Sequence, residues 1–328
     1  MAFTPLQYDD GKAIDLPFAT SQSTTKYCAV VVDTSTGYYN TGAAGGIFCF
    51  ENFDEYATPS IINNHVINNY GLEGGGIRCL HQEVPHPPDS KIIIRDNVIT
   101  GNSAAGNGGG ICVEGGHAVI EGNIIQNNTA GGFGGGILAY EDNSQILNNV
   151  IISNTSGVDG GGILFYQLDN NEAQVLLQEN TISSNSSALY GGGIAGYYGI
   201  ASINSNEISN NQCNSHGGGI WVAYCDTVYI NDCIISENHV IGIGQGGGIC
   251  LGEWIGKDGE RRRTDNFELI DYPSNEKAWP MYSYVTDCLI SSNSAEFGGG
   301  LWADCIGGRI RNCEVSGNEA YGGAGIYL

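Results

Sequence analysis

The chain has 328 residues and a formal net charge of −23, with 12 Lys and Arg against 35 Asp and Glu. This balance argues against a nucleic-acid partner, because phosphate binding needs a basic face, and against an anionic polysaccharide unless calcium bridges it. No run of about 18 apolar residues is present, so no membrane insertion is expected.

Residues 1–44 carry no repeat and read as an N-terminal cap, with a strand over Tyr27 to Asp33. The start, Met1-Ala2-Phe3-Thr4-Pro5, lacks a charged region followed by an apolar one. The expectation is an extracellular or cell-surface protein whose signal has been removed.

From residue 45 the chain is periodic. Gly-Gly-Gly-Ile ends at Ile77, Ile111, Ile137, Ile163, Ile194, Ile220 and Ile249, and relatives end at Ile47, Leu301 and Ile326. The closest copies lie 25 or 26 residues apart, a period that indicates a solenoid. Each repeat also holds a polar, x, aliphatic, small, small, Asn segment, as in Asn97 to Asn102 and Asn123 to Asn128. The segment is rich in strand formers and too short for a helical pattern. The predicted fold is therefore all-β: a parallel β-helix over residues 45–328, of about nine to ten coils of three short strands.

Stacked coils place like over like at about 4.8 Å. Ile99, Ile125, Ile151, Ile182, Ile208, Ile235, Ile290 and Val315 should form a buried column. Asn102, Asn128, Asn154, Asn185, Asn211, Asn238, Asn293 and Asn318 should form an asparagine ladder at a bend, where left-handed backbone is tolerated. The triple glycine marks either a positive φ or backbone too crowded for a Cβ. Cys233, Cys288 and Cys313 replace the first Asn of the segment in the later coils and should stack as small buried hydrophobes, although a disulfide between neighbours is allowed by distance.

The period fails most severely after Ile249, where a long loop at about 252–284 carries Trp254, Arg261, Arg262, Arg263, Trp279, Pro280, Tyr282 and Tyr284. The chain stops at Tyr327-Leu328 with no capping element. Truncation of a longer module, end-to-end self-association through the uncapped coil, and a cap supplied by a partner all fit.

These repeats resemble the right-handed parallel β-helix superfamily, which includes pectate lyases, rhamnogalacturonases and bacterial adhesins. The Gly-Gly-Gly-Ile element with its spaced Asn is also similar to the repeats of chlamydial polymorphic membrane proteins, although Phe is absent before the Asn here. The resemblance implies fold more than function. It includes lyases that use Arg or Lys, and the scarcity of both in this chain shifts the expectation to a hydrolase or a binder.

With each repeat Ile facing inward, the first and third residues after it face outward. That stripe holds Tyr140, Tyr166, Tyr197, Trp221 and Trp302, with Tyr224 just beyond. Together with Trp254 these form the candidate sugar-stacking platform; a purely structural aromatic ladder is the alternative. Acidic residues line the same edge. Asp226, Glu253 and Asp304 come from consecutive coils and are the candidate catalytic carboxylates. Retaining glycosidases need a pair about 5–5.5 Å apart and inverting ones about 6.5–9.5 Å. No metal-ligand motif and no cofactor signature is present, and calcium lacks a D-x-D-x-D-G loop. The functional expectation is a β-helix that binds, and in one reading hydrolyses, a neutral glycan. A non-catalytic adhesin or surface-display module and a structural fibre subunit are the alternatives.

Overall fold

The computed structural model describes residues 28–32, 45–51, 60–81, 91–115, 117–140, 143–167, 174–252, 281–304 and 307–328. Glu253, Trp254 and Arg261 to Arg263 lie outside them, as does most of the segment read as a cap.

Every described element is a strand, and the strands form four sheets of eleven, nine, nine and seven. The first sheet contains the strands after the glycine triplets, the second and third follow in order along each coil, and the fourth consists of two-residue strands such as Thr129–Ala130. Strands in each sheet are parallel and stack coil on coil, except Cys28–Val32, which pairs antiparallel with Ile47–Glu51. The expected three strands per coil thus become four. Two-residue strands carry no alternation that a sequence pattern could reveal.

The register is that of the repeat. Ile111 lies between Ile77 and Ile137, and Val113 between Cys79 and Ala139. Ile99, Ile125, Ile151, Ile182, Ile208, Ile235 and Ile290 are fully buried in one core cluster, with Val315 packed against it. Size is balanced along the core columns: Phe165 lies between Ala139 and Gly196, and a Cβ on Gly196 would fall 2.0 Å from the Phe165 ring.

The glycine triplet combines both predicted causes. Its first member has positive φ, as at Gly134 (65°). The next two are crowded by the following coil: a Cβ on Gly135 would lie 2.4 Å from Gly161 O, and one on Gly136 2.5 Å from Gly162 O.

Two asparagine ladders run along the rod. In the second, Asn154 Oδ1 accepts from both Asn128 N and Asn128 Nδ2 at 3.0 Å, while its own Nδ2 donates to Ile125 O and Asn185 Oδ1. The ladder residues are not themselves left-handed. The preceding residue is, as at Asn127 (55°), Ser153 (57°) and Ser184 (57°), which turns the Asn amide inward where it bonds along the stack.

Candidate functional site

The first sheet has two faces. Repeat Ile and the second residue after it enter the main core, as expected. From Ile111 to Leu301 the first residue after it leaves that core but does not reach solvent, whereas Phe48 and Arg78 are partly exposed and Tyr327 is exposed. Cys112, Leu138, Leu164, Ala195, Trp221, Cys250 and Trp302 form a second buried cluster on the outer face. They are covered by the residue that precedes each glycine triplet, because the left-handed first glycine folds that residue back over the strand. Phe133, Tyr190 and Phe297 act in this way. Tyr190 stacks on Trp221 with centroids 4.7 Å apart, and Tyr197 meets Trp221 edge-on at 4.8 Å. Trp221, Trp302 and Tyr197 are only 5%, 7% and 7% exposed. These three predicted platform residues are therefore packing groups, and a sugar face cannot lie on them as they stand.

The half-buried tyrosines behave differently. Tyr140 and Tyr166 stack at 5.1 Å and 15°, Tyr166 meets Tyr198 edge-on at 5.4 Å, and Tyr198 stacks on Tyr224 at 5.5 Å and 25°. The four rings make a ridge across four coils at the corner between the first and second sheets. Tyr198 and Tyr224 reach it from left-handed backbone, with φ of 59° and 61°. Asp226 lies two residues beyond Tyr224 and is half-buried, and its backbone N donates to Gly199 O, next to Tyr198.

Asp304 is exposed and pairs in register with Gly252. The register aligns Ala303 with Leu251 and Leu251 with Val222, so Asp226 lies two coils back and three residues further round the coil than Asp304's position. Two coil steps alone separate their backbones by about 10 Å, and Glu253, the candidate from the coil between them, lies outside the described residues.

Tyr282 and Tyr284, expected within the long loop, instead stand on strand Tyr282–Thr286, where they join Tyr229 in a second aromatic group on the outer face of the second sheet. Tyr229 and Tyr284 stack at 5.2 Å and 13°, and Tyr229 and Tyr282 are 39% and 45% exposed. Beside them Asn231 Nδ2 donates to Asn204 Oδ1, and Thr286 Oγ1 donates to Asn231 Oδ1. The signal was the alternation in Thr227–Asn231 and Tyr282–Thr286, which points every second residue outward.

The column before the glycine triplets also holds chemistry that the sequence reading passed over. Its side chains accept the backbone N–H of the next coil: Glu73 from Asn107 N, Asn107 from Phe133 N, Asp159 from Tyr190 N and His216 from Gln245 N. Asp159 is fully buried and also accepts from the Tyr197 hydroxyl at 2.7 Å. Burial raises its carboxyl to about 7, against which these two hydrogen bonds pull only partly. Burial lowers His216 to about 4, and its ring stacks on Tyr190 at 5.4 Å.

Near the end of the chain, His239 Nδ1 bonds Ser294 Oγ beside a cleft of about 610 Å³ lined by Ile241, Ile243, Glu296 and Tyr321. Glu319 pairs with Ser294 on the side away from His239, so the order is not that of a catalytic triad. Among the described residues, no three His, Cys, Asp or Glu side chains gather where they could hold a metal ion, and no helix is long and apolar enough to cross a membrane.

A family described as "Right handed beta helix region" matches residues 86–199. No curated protein and no solved structure matches the chain. The matched segment lies within the stack of in-register parallel strands, and the two together identify the fold as a right-handed parallel β-helix.

Proposed function

We propose that the protein binds a neutral glycan along the corner ridge Tyr140–Tyr166–Tyr198–Tyr224, outside the cell or at its surface. The observation that carries this reading is the ridge itself: four rings in contact, half-buried, one per coil and aligned with the rod axis. Half-buried rings keep a face or edge toward solvent while packing fixes their orientation, so a saccharide can lay its apolar C–H face on them without first ordering them. The tyrosine hydroxyls supply hydrogen bonds to sugar hydroxyls. With a charge of −23, the chain favours an uncharged ligand over an anionic one.

A glycan array read beside a reducing-sugar release assay tests the proposal. Binding of an uncharged glycan, weakened about 2- to 10-fold by each of Tyr166→Ala and Tyr198→Ala, is expected from about 0.5–1.5 kcal/mol per aromatic contact. An array with no bound glycan, or binding indifferent to both substitutions, would refute it. Release of reducing ends would place the protein among hydrolases; binding without release fits the adhesin reading.

A further inference from the structure

The first asparagine ladder changes chemistry toward the end of the rod. Asn97, Asn123, Asn149, Asn180 and Asn206 are followed at the same corner by Cys233, Cys288 and Cys313. Each amide of the ladder donates back to the preceding coil, as Asn206 Nδ2 does to Leu177 O at 2.9 Å. Each thiol lies within donor reach of that carbonyl and of a nearer one two residues before it: Cys233 of Ile203 O at 3.4 Å and Asn231 O at 3.3 Å, Cys288 of Ile230 O at 3.5 Å and Thr286 O at 3.1 Å, and Cys313 of Val285 O at 3.5 Å and Arg311 O at 3.4 Å. A thiol is a weak donor with one hydrogen where the amide has two, so the last coils give up hydrogen bonding that the earlier ones have.

In return the three sulfurs are in position to bond one another. Leu289 N donates to Cys233 O and Glu314 N to Cys288 O, both at 2.9 Å, which fixes the three corners in adjacent coils. Neighbouring coils stand about 4.8 Å apart, inside the Cα separation of about 4.4–6.8 Å that a disulfide spans. All three cysteines are free thiols; Cys233 and Cys288 are buried and Cys313 is half-exposed.

We propose that this column is a thiol switch in which hydrogen peroxide joins Cys288 to Cys313 through a disulfide that staples the last two coils together. Peroxide reaches the half-exposed Cys313 first. Its sulfur takes one oxygen, giving a sulfenic acid and water. The Cys288 sulfur then attacks the Cys313 sulfur, the S–O bond breaks, and hydroxide leaves with the Cys288 proton as a second water. Two thiols are oxidised and one peroxide is reduced. Burial raises the Cys313 thiol, so the reaction is faster at alkaline pH, where more thiolate is present.

The test uses the full chain, reduced, freed of reductant and treated with hydrogen peroxide at pH 8. Remaining thiols are then blocked with N-ethylmaleimide in urea, and the chain is cut with trypsin. Cleavage after Arg309 and Arg311 separates Cys288 from Cys313 but leaves Cys305 on the Cys288 peptide, so the experiment is run in parallel on Cys305→Ser. The expected result in both chains is a linked pair of these two peptides, enriched at least tenfold over the untreated sample and abolished by dithiothreitol. Recovery of both cysteines as maleimide adducts in the Cys305→Ser chain would overturn the proposal. So would a link from Cys288 to the Cys233 peptide instead, or Cys313 over-oxidised with Cys288 still free.

Discussion

Replacing Asp159 by asparagine should change how stability depends on pH more than it changes stability itself. Asp159 holds its proton in the fold up to about pH 7, whereas in the unfolded chain it releases it near the ordinary 3.8. Between those values the folded state binds the extra proton, so stability is full at low pH and is lost as pH rises, by about 4 kcal/mol across the window. His216 works in the opposite sense. It is held neutral down to about 4 against an ordinary 6.5, so its contribution is present above pH 6.5 and lost on acidification, by about 3 kcal/mol. From about pH 4 to 6.5 the two slopes oppose each other, one proton each. Cys213, close enough to feel the Asp159 charge, is raised to about 12 and stays neutral throughout.

Asp159→Asn removes one slope and leaves the other. The amide fits the site, since Oδ1 still accepts from Tyr190 N, the Tyr197 hydroxyl can accept from Nδ2, and Asn107 already holds the equivalent position two coils earlier. Urea unfolding at pH 4.5, 5.5, 6.5 and 7.5 measures the effect. The variant should gain on the wild type by about 1.4 kcal/mol per pH unit up to about pH 7, and surface carboxylates cancel in the difference. A difference between the two proteins that does not vary with pH would refute the assignment of a protonated, buried Asp159.

Two further outcomes follow from the core. Gly196→Val forces a side chain onto the Phe165 ring and should cost about 1–3 kcal/mol in urea unfolding; Phe165→Ala in the same chain should recover part of that loss, and strictly additive costs would show that the two do not share a space. Asn154→Leu leaves Asn128 N and Ile125 O without their buried partners and should cost about 3–5 kcal/mol. A loss below about 1 kcal/mol would mean that the ladder is decorative.

The fold was readable because the period was carried by residues under hard constraint. A Cβ cannot be placed on Gly135 beneath the next coil, and the short amide of Asn154 reaches two donors and two acceptors at once, so the pattern holds along the stack and gives way to Ala324 only in the last described coil, which has no described coil above it. The site was less readable because inward and outward are defined by the strand, while exposure is decided by what folds over it. Trp221 points away from the main core, as alternation requires, yet Tyr190 covers it. That cover comes from one residue before the glycine triplet, a position where Glu, Asn, Phe, Asp, Tyr, His and Gln all occur and which therefore shows no pattern. Tyr229 and Tyr284 were hidden for a related reason: they are 55 residues apart, and only the register across the long insertion brings them together.

Parallel stacking also makes the repeat a unit of length. Strand pairing and both side-chain ladders join one coil to the next, so in register and ladder hydrogen bonding what a coil requires of its neighbour repeats through the coils from Asn97 to Asn206. Excising residues 112–137 would join Ile111 directly to Leu138 and set the strand ending at Tyr140 between those of Ile77 and Ile163, with glycine over glycine and asparagine over asparagine. The rod would shorten by one step of about 4.8 Å and the tyrosine ridge would remain whole. A protein built in this way can be lengthened or shortened in whole coils without redesigning its interior, so the span of ligand it covers can be set separately from the packing that holds it together.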